Sequence, residues 1–186
     1  MRTGAQMVWK PILLERLLKA VNPKRLEAEA KSSSAEARYQ TKDLNDWARF
    51  CGLKITRLQL RPGVTGLAMR GAIAAMESGL VEPYSHLVFA ACFGDQKDIG
   101  QRQVLTEIAI ASGLDREQFQ QCINDAGTRR RLYDNTQELV DRGGFGCPTM
   151  FVGDDMYFGN DRMPLLEMAC GRSSGIRFVV PGQHGK

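Results

Sequence analysis

The 186-residue chain is 43% hydrophobic and 25% charged, proportions that suit one globular domain, with or without a sizeable insertion, and exclude a disordered chain. Its net charge of +4 is scattered over both signs. That balance suits small anionic ligands, but without aromatic residues interleaving a basic stripe it argues against nucleic acid.

The ends and the cysteines narrow the class further. No charged n-region followed by an apolar h-region opens the chain, and no run approaches the ~18 apolar residues of a spanning helix, so neither membrane insertion nor secretion is expected. Cys51, Cys92, Cys122, Cys147 and Cys170 are odd in number and widely spaced, with no Cys-x-x-Cys. Reduced thiols in a cytoplasmic protein account for them more simply than a disulfide framework. His86 and His184 lie too far apart to announce a metal site, and none is expected.

In chain order, Gln6–Leu14 reads as a strand running into a loop, with Pro11 closing its regular part. Residues 22–38 are polar and loop-like. A helix is predicted from Ala35 to Phe50, with Tyr39, Leu44, Trp47 and Ala48 at helical spacing and Gly52 as its stop. Residues 53–61 alternate weakly until Arg61-Pro62-Gly63 breaks the chain. From Thr65 to about Leu132 the period is helical throughout. Leu67, Ala68, Gly71, Ala74 and Ala75 form a small-residue stripe, Tyr84–Phe93 a second helix, and Val104–Ala111 a third ending at Gly113. Asp115 is placed to cap a helix containing Phe119 and Ile123, and Arg129–Arg142 forms another that ends at Gly143-Gly144.

Then the period changes. Thr149–Val152 and Met156–Phe158 are short β-rich runs across a Gly153-Asp154-Asp155 turn, a hairpin signature. Asp161 is placed to cap a last helix through Met163, Leu165, Leu166 and Met168. Beyond Gly171, Ile176–Val180 is β-branched and aromatic. It reads either as a strand pairing with a sheet edge, in its own chain or a dimer partner, or as a frayed end.

Gly143–Val152 holds the most informative residues. Pro148 cannot donate to a β-ladder, so it belongs at the strand's start. Two forms remain open there: a plain strand-initiating proline, or a cis peptide that turns the main-chain groups of Cys147 outward, where they could pair with a bound peptide backbone.

Gly-x-Phe-Gly-x-Pro-Thr at 143–149, a hairpin, and Phe-Gly-Asn-Asp-Arg-x-x-x-Leu-Glu at 158–167 together resemble the C-terminal signature of the DsbA-like thioredoxin superfamily. More narrowly they resemble the 2-hydroxychromene-2-carboxylate isomerases and the related kappa-class glutathione transferases. Trp9-Lys10-Pro11 is similar to that family's second strand. Tyr39, Asp43-Leu44 and Trp47-Ala48 resemble its first inserted helix, and Pro62, Thr65, Ala68 and Arg70 extend the match. The likeness runs over about residues 3 to 171 and implies an α/β, thioredoxin-like fold with a large all-helical insertion. Residues 1–34 and 140–186 would form the thioredoxin-like domain and 35–139 the inserted helical domain.

The resemblance also implies roles. Glutathione would be the cofactor, its cysteinyl part paired with the backbone of Cys147 before Pro148. Asn160 and Asp161 would hold its γ-glutamyl end, and Asn22 its glycyl end. Asp161 can also be read as a simple helix cap, Arg162 as a solvated residue, and the Cys147 thiol as a small buried hydrophobe. The chain departs from the family in three ways. The first strand, and the turn whose serine contacts the glutathione sulfur, have no counterpart, so impaired activity by truncation is expected and the catalytic residue is unassigned. Glu36 stands where a lysine is usual, with Lys31 as a substitute only if its loop shifts. Cys147 replaces an aliphatic residue or threonine. Three functions are therefore expected in order. They are a cytoplasmic glutathione-dependent isomerase of aromatic carboxylates from aromatic catabolism, with which a homodimer is compatible, a DsbA-like thiol–disulfide oxidoreductase, and a non-catalytic binding protein.

Overall fold

The computed structural model describes residues 3–23, 35–56 and 64–173. The Arg61-Pro62-Gly63 break, Lys31 and the Ile176–Val180 run therefore lie outside the described residues. Those described form eight α-helices and a two-stranded sheet: α1 Leu14–Val21, α2 Ala35–Phe50, α3 Thr65–Glu77, α4 Val81–Phe89, α5 Arg102–Ala111, α6 Arg116–Asn124, α7 Ala126–Asp141, β1 Thr149–Val152, β2 Asp155–Phe158 and α8 Met163–Ser173.

α3 is the centre of the helical block and packs on α4, α5, α6 and α7. Its small residues explain why. Ala68, Gly71, Ala72, Ala74 and Ala75 are buried, so neighbouring helices can approach its backbone closely. The gap left by Gly71 is filled by Tyr84 and Phe119, whose rings lie 6.0 Å apart. The Tyr84 hydroxyl donates to the Ala68 carbonyl at 3.2 Å, which satisfies a phenol that is otherwise sealed from water. That burial pushes its pKa well up.

Local signals hold the surrounding helices in register. Asp115 accepts from the Gln118 N–H at 2.9 Å at the start of α6, and Asp125 accepts from Thr128 N–H at 2.7 Å at the start of α7. The α7 helix thus starts three residues before Arg129, at a second aspartate cap. The helix predicted over Tyr84–Phe93 instead begins at Val81 and runs into a π-turn at Ala90–Gly94, where Cys92 is buried. α2 has the predicted bounds and ends before Gly52, whose φ of +67° is the left-handed stop. Only Ala48 of α2 is buried, and Tyr39, Leu44 and Phe50 are exposed.

The strand expected from Gln6 to Pro11 is corrected: residues 4–13 carry no regular structure, and Leu14–Val21 is helical. Among the described residues no strand lies beside this segment to accept a ladder. Side chains of α7 hold it instead. Asn135 donates from Nδ2 to the Pro11 carbonyl at 3.0 Å, Thr136 Oγ1 accepts from Leu13 N–H at 3.0 Å, and Lys10 pairs with Glu138. Leu14, Leu17, Leu18 and Val21 recur at helical spacing, and Leu17 and Leu18 are buried where α1 packs on α7. Burying each contributes about 1.5–3 kcal/mol.

β1 and β2 pair antiparallel, with Thr149 opposite Phe158 and Val152 opposite Asp155. The turn is therefore two residues, Gly153-Asp154, and Asp155 belongs to the strand. Gly153 has φ +61° at the first turn position, the conformation that a tight two-residue hairpin demands. α8 packs on β1.

Candidate functional site

The Cys147–Pro148 peptide is cis, which decides between the two forms left open by the sequence. Several contacts fix this corner. Arg142, at the end of α7, lays its guanidinium 3.6 Å from the centre of the Phe151 ring and donates to the Gly153 carbonyl at 2.7 Å, so helix and hairpin move together. Phe145 packs against Phe158 with ring centres 4.6 Å apart. Between them, a Cβ on Gly146 would stand 2.7 Å from the Phe158 ring, so only glycine lets the chain pass. Thr149 donates from Oγ1 to the Gly146 carbonyl at 2.7 Å.

The hairpin then gathers most of the predicted site residues. Its register continues past Thr149–Phe158, with Gly159 N–H donating to the Pro148 carbonyl at 3.0 Å. Cys147 precedes Pro148 on one side of this corner, and Asn160 follows Gly159 on the other. Asp161 follows in a 3-10 turn, Asn160–Arg162, that leads into α8. Cys147, Pro148, Asn160 and Asp161 are all exposed there. Desolvation nevertheless raises the pKa of the Cys147 thiol, although the residue as a whole is exposed.

Two expectations are revised. Asp161 lies inside the 3-10 turn rather than at a helix cap, and its carboxylate pairs with Arg162, which is itself exposed to solvent. Cys147 as a residue is exposed rather than buried, although its thiol is partly desolvated. Asn22 ends α1, a different element that packs on α7, whereas the hairpin group is held by β1, β2 and α8. Glu36 is exposed in the first turn of α2 and accepts from Gln40 Nε2 at 3.2 Å. Among the described residues no cluster of three His, Cys, Asp or Glu side chains is placed to hold a metal, and no helix is long and apolar enough to cross a membrane.

Two cavities open elsewhere. One, of about 910 Å³, lies between the start of α3, the start of α5 and the first half of α7. The other, of about 590 Å³, lies between α1, α3 and α7, and the two share Leu13, Gly66 and Tyr133. Sequence reading did not single out either. Their polar residues come from three helices far apart in the chain, and only packing unites them.

The cis-proline corner, the hairpin and the trailing helix are the arrangement that the residue pattern implied, and residues 1–171 match the DSBA-like thioredoxin domain. The chain belongs to that family. Its architecture is a DsbA-like thioredoxin fold, mostly helical with a small two-stranded sheet. Within the family it is similar to the 2-hydroxychromene-2-carboxylate isomerase of Pseudomonas sp. (strain C18), 32% identical over 136 residues that cover 72% of this chain and 62% of that one. It is likewise similar to the isomerase of that name from Pseudomonas putida, 30% identical over 137 residues that cover 72% and 65% respectively. The match thus spans less than two thirds of either relative's length.

Among solved structures, a 2-hydroxychromene-2-carboxylate isomerase superposes with a TM-score of 0.73 over 91% of this chain and 82% of its own, at 24% identity. A protein described as a putative protein disulfide isomerase from Nitrosomonas europaea gives 0.54 over 67% of this chain and 65% of its own, at 22% identity. Both likenesses are of fold.

Proposed function

We propose that this DsbA-like protein acts as a glutathione-dependent isomerase on a 2-hydroxychromene-2-carboxylate-like aromatic carboxylate. The observation that carries the reading is the 32% and 30% identity to two isomerases of that name. The hairpin corner supports it chemically. Cys147 is exposed beside a cis-proline, so its main-chain N–H and C=O can be reached by the backbone of a small peptide. The exposed Asp161 carboxylate, paired with Arg162, can also accept from the ammonium of a γ-glutamyl group. Asn160, next to Asp161 in the chain, offers both donor and acceptor to the same end.

Glutathione, if bound there, would supply a thiolate nucleophile for the isomerisation of a conjugated ring system. The chain's own residues bind and orient the two partners, which shortens the search for the reactive geometry. In this reading residues 35–139 form the inserted helical domain, Asn22 contacts the glycyl end, and the protein works in the cytoplasm as a homodimer. The exposed Tyr39 and Phe50, which lie on one side of α2, support self-association, and in sedimentation velocity a Phe50→Glu variant should run as a monomer if that side is used.

The redox reading has less support. No Cys-x-x-Cys occurs in these 186 residues, and desolvation moves the Cys147 thiol away from the thiolate that disulfide exchange requires. Calorimetry with glutathione tests the isomerase reading. Asp161→Ala should weaken binding by about tenfold, the loss of one charge-assisted hydrogen bond at an exposed site. Equal affinity in the parent and the variant would remove the site.

A further inference from the structure

The 910 Å³ cavity collects three guanidiniums, Arg70 from α3, Arg102 from the first turn of α5 and Arg129 from α7, around a wall made by Leu13, Val64, Leu67, Leu132 and Tyr133. Their partners set these arginines apart. On α7, Arg130 pairs with Asp134 and Arg131 with Glu77, while their neighbour Arg129 has no carboxylate partner among the described residues. Arg102 has none among the described residues either, and Arg70 spends one N–H on the Ile123 carbonyl at 2.7 Å. Asp98 is the one carboxylate on the described lining, and it accepts from the Gly100 N–H at 2.9 Å.

Among the described lining residues, three cations and one anion leave two positive charges in excess around an apolar and aromatic wall. The arginines interact: Arg70, partly desolvated and facing Arg129 and Arg102, has its pKa lowered. Like charges brought together cost free energy unless an anion offsets them, and guanidinium forks match carboxylates in pairs. We propose that this cavity binds a small aromatic dianion, its carboxylates held by Arg70, Arg102 and Arg129 and its ring against Tyr133 and Leu132. The site is separate from the hairpin corner. Arg129 stands about 18 Å along α7 from Asp141, by the rise of an α-helix.

Phthalate is the probe. Titrated by calorimetry into the intact chain, it should bind saturably at millimolar concentration or below, and more tightly than benzoate or inorganic phosphate. Arg102→Gln and Arg129→Gln, both at exposed positions, should each lower phthalate affinity several-fold and together by about tenfold or more, with the thermal midpoint of the unliganded chain unchanged or slightly raised. Asp161→Ala should leave phthalate affinity as it was, which separates this site from the glutathione reading. No saturable phthalate binding, equal affinity in the double variant, or phosphate binding as tightly as phthalate would each overturn the proposal.

Discussion

Gly71→Ala is the sharpest test of how the helical block is held. A Cβ at that position would stand 2.1 Å from the Tyr84 hydroxyl and 2.9 Å from a ring carbon of Phe119. Both rings are fully buried, so neither can swing into solvent. Alanine gains about 1 kcal/mol of helix propensity over glycine. Against that, overpacking a filled core costs about 1–3 kcal/mol. Pushing Tyr84 off the Ala68 carbonyl leaves a buried hydroxyl unsatisfied, for about 1–3 kcal/mol more. The balance is a loss of about 3 kcal/mol, which in a chain of this size lowers the thermal midpoint by about 6–12 °C. Differential scanning calorimetry on the variant reads it directly. A midpoint equal to or above that of the parent would mean that α3 does not pack on Tyr84 and Phe119 as described.

Thr136→Val should cost about 1–3 kcal/mol, because it removes the acceptor for Leu13 N–H from a fully buried site while keeping the shape; a thermal midpoint unchanged from the parent would free α1 from α7. Alkylation of Cys147 by iodoacetamide, followed by peptide mass spectrometry across a pH series, should show a midpoint above the ~8.5 of an unperturbed thiol, and a lower one would contradict its desolvation. Stability should fall as pH rises above about 9–10. Cys92, Cys122 and Tyr84 all have pKa values raised by burial, so the unfolded chain loses their protons first. Below the unfolded-state values both states are protonated, and these groups give no slope there. Tyr84→Phe should flatten the alkaline limb in urea titrations.

Much of this fold was legible because local chemistry and tertiary structure agree. Ala35–Phe50 carries helical spacing with a glycine stop, Asp115 a cap, and Gly153 a turn, and each needs only its own neighbours to act. The failures have a common cause. Gln6–Leu14 looks like a strand, but a strand requires a partner, and here the backbone of Pro11 and Leu13 is satisfied by Asn135 and Thr136 from a helix more than 120 positions away. Asp161 looks like a cap, yet its carboxylate is taken by Arg162. The hairpin corner could be foreseen because Cys147, Pro148, Asn160 and Asp161 are close in sequence. The arginine cavity could not, since Arg70, Arg102 and Arg129 are scattered over 60 residues.

α7 is what turns these separate pieces into one molecule. Its first half supplies Arg129, Leu132 and Tyr133 to the cavity, and its middle holds the N-terminal segment through Asn135, Thr136 and Glu138. At its far end Arg142 clamps Phe151 and Gly153 of the hairpin. A helix transmits position well along its axis, because each main-chain hydrogen bond fixes the next turn. The cavity and the cis-proline corner are thereby held at a fixed separation without touching. It follows that charge substitutions at Arg102 and Arg129 act locally on anion affinity, whereas Arg142→Ala frees the hairpin from the helix. That variant should loosen Cys147 and Asn160 together while leaving the arginine cavity intact.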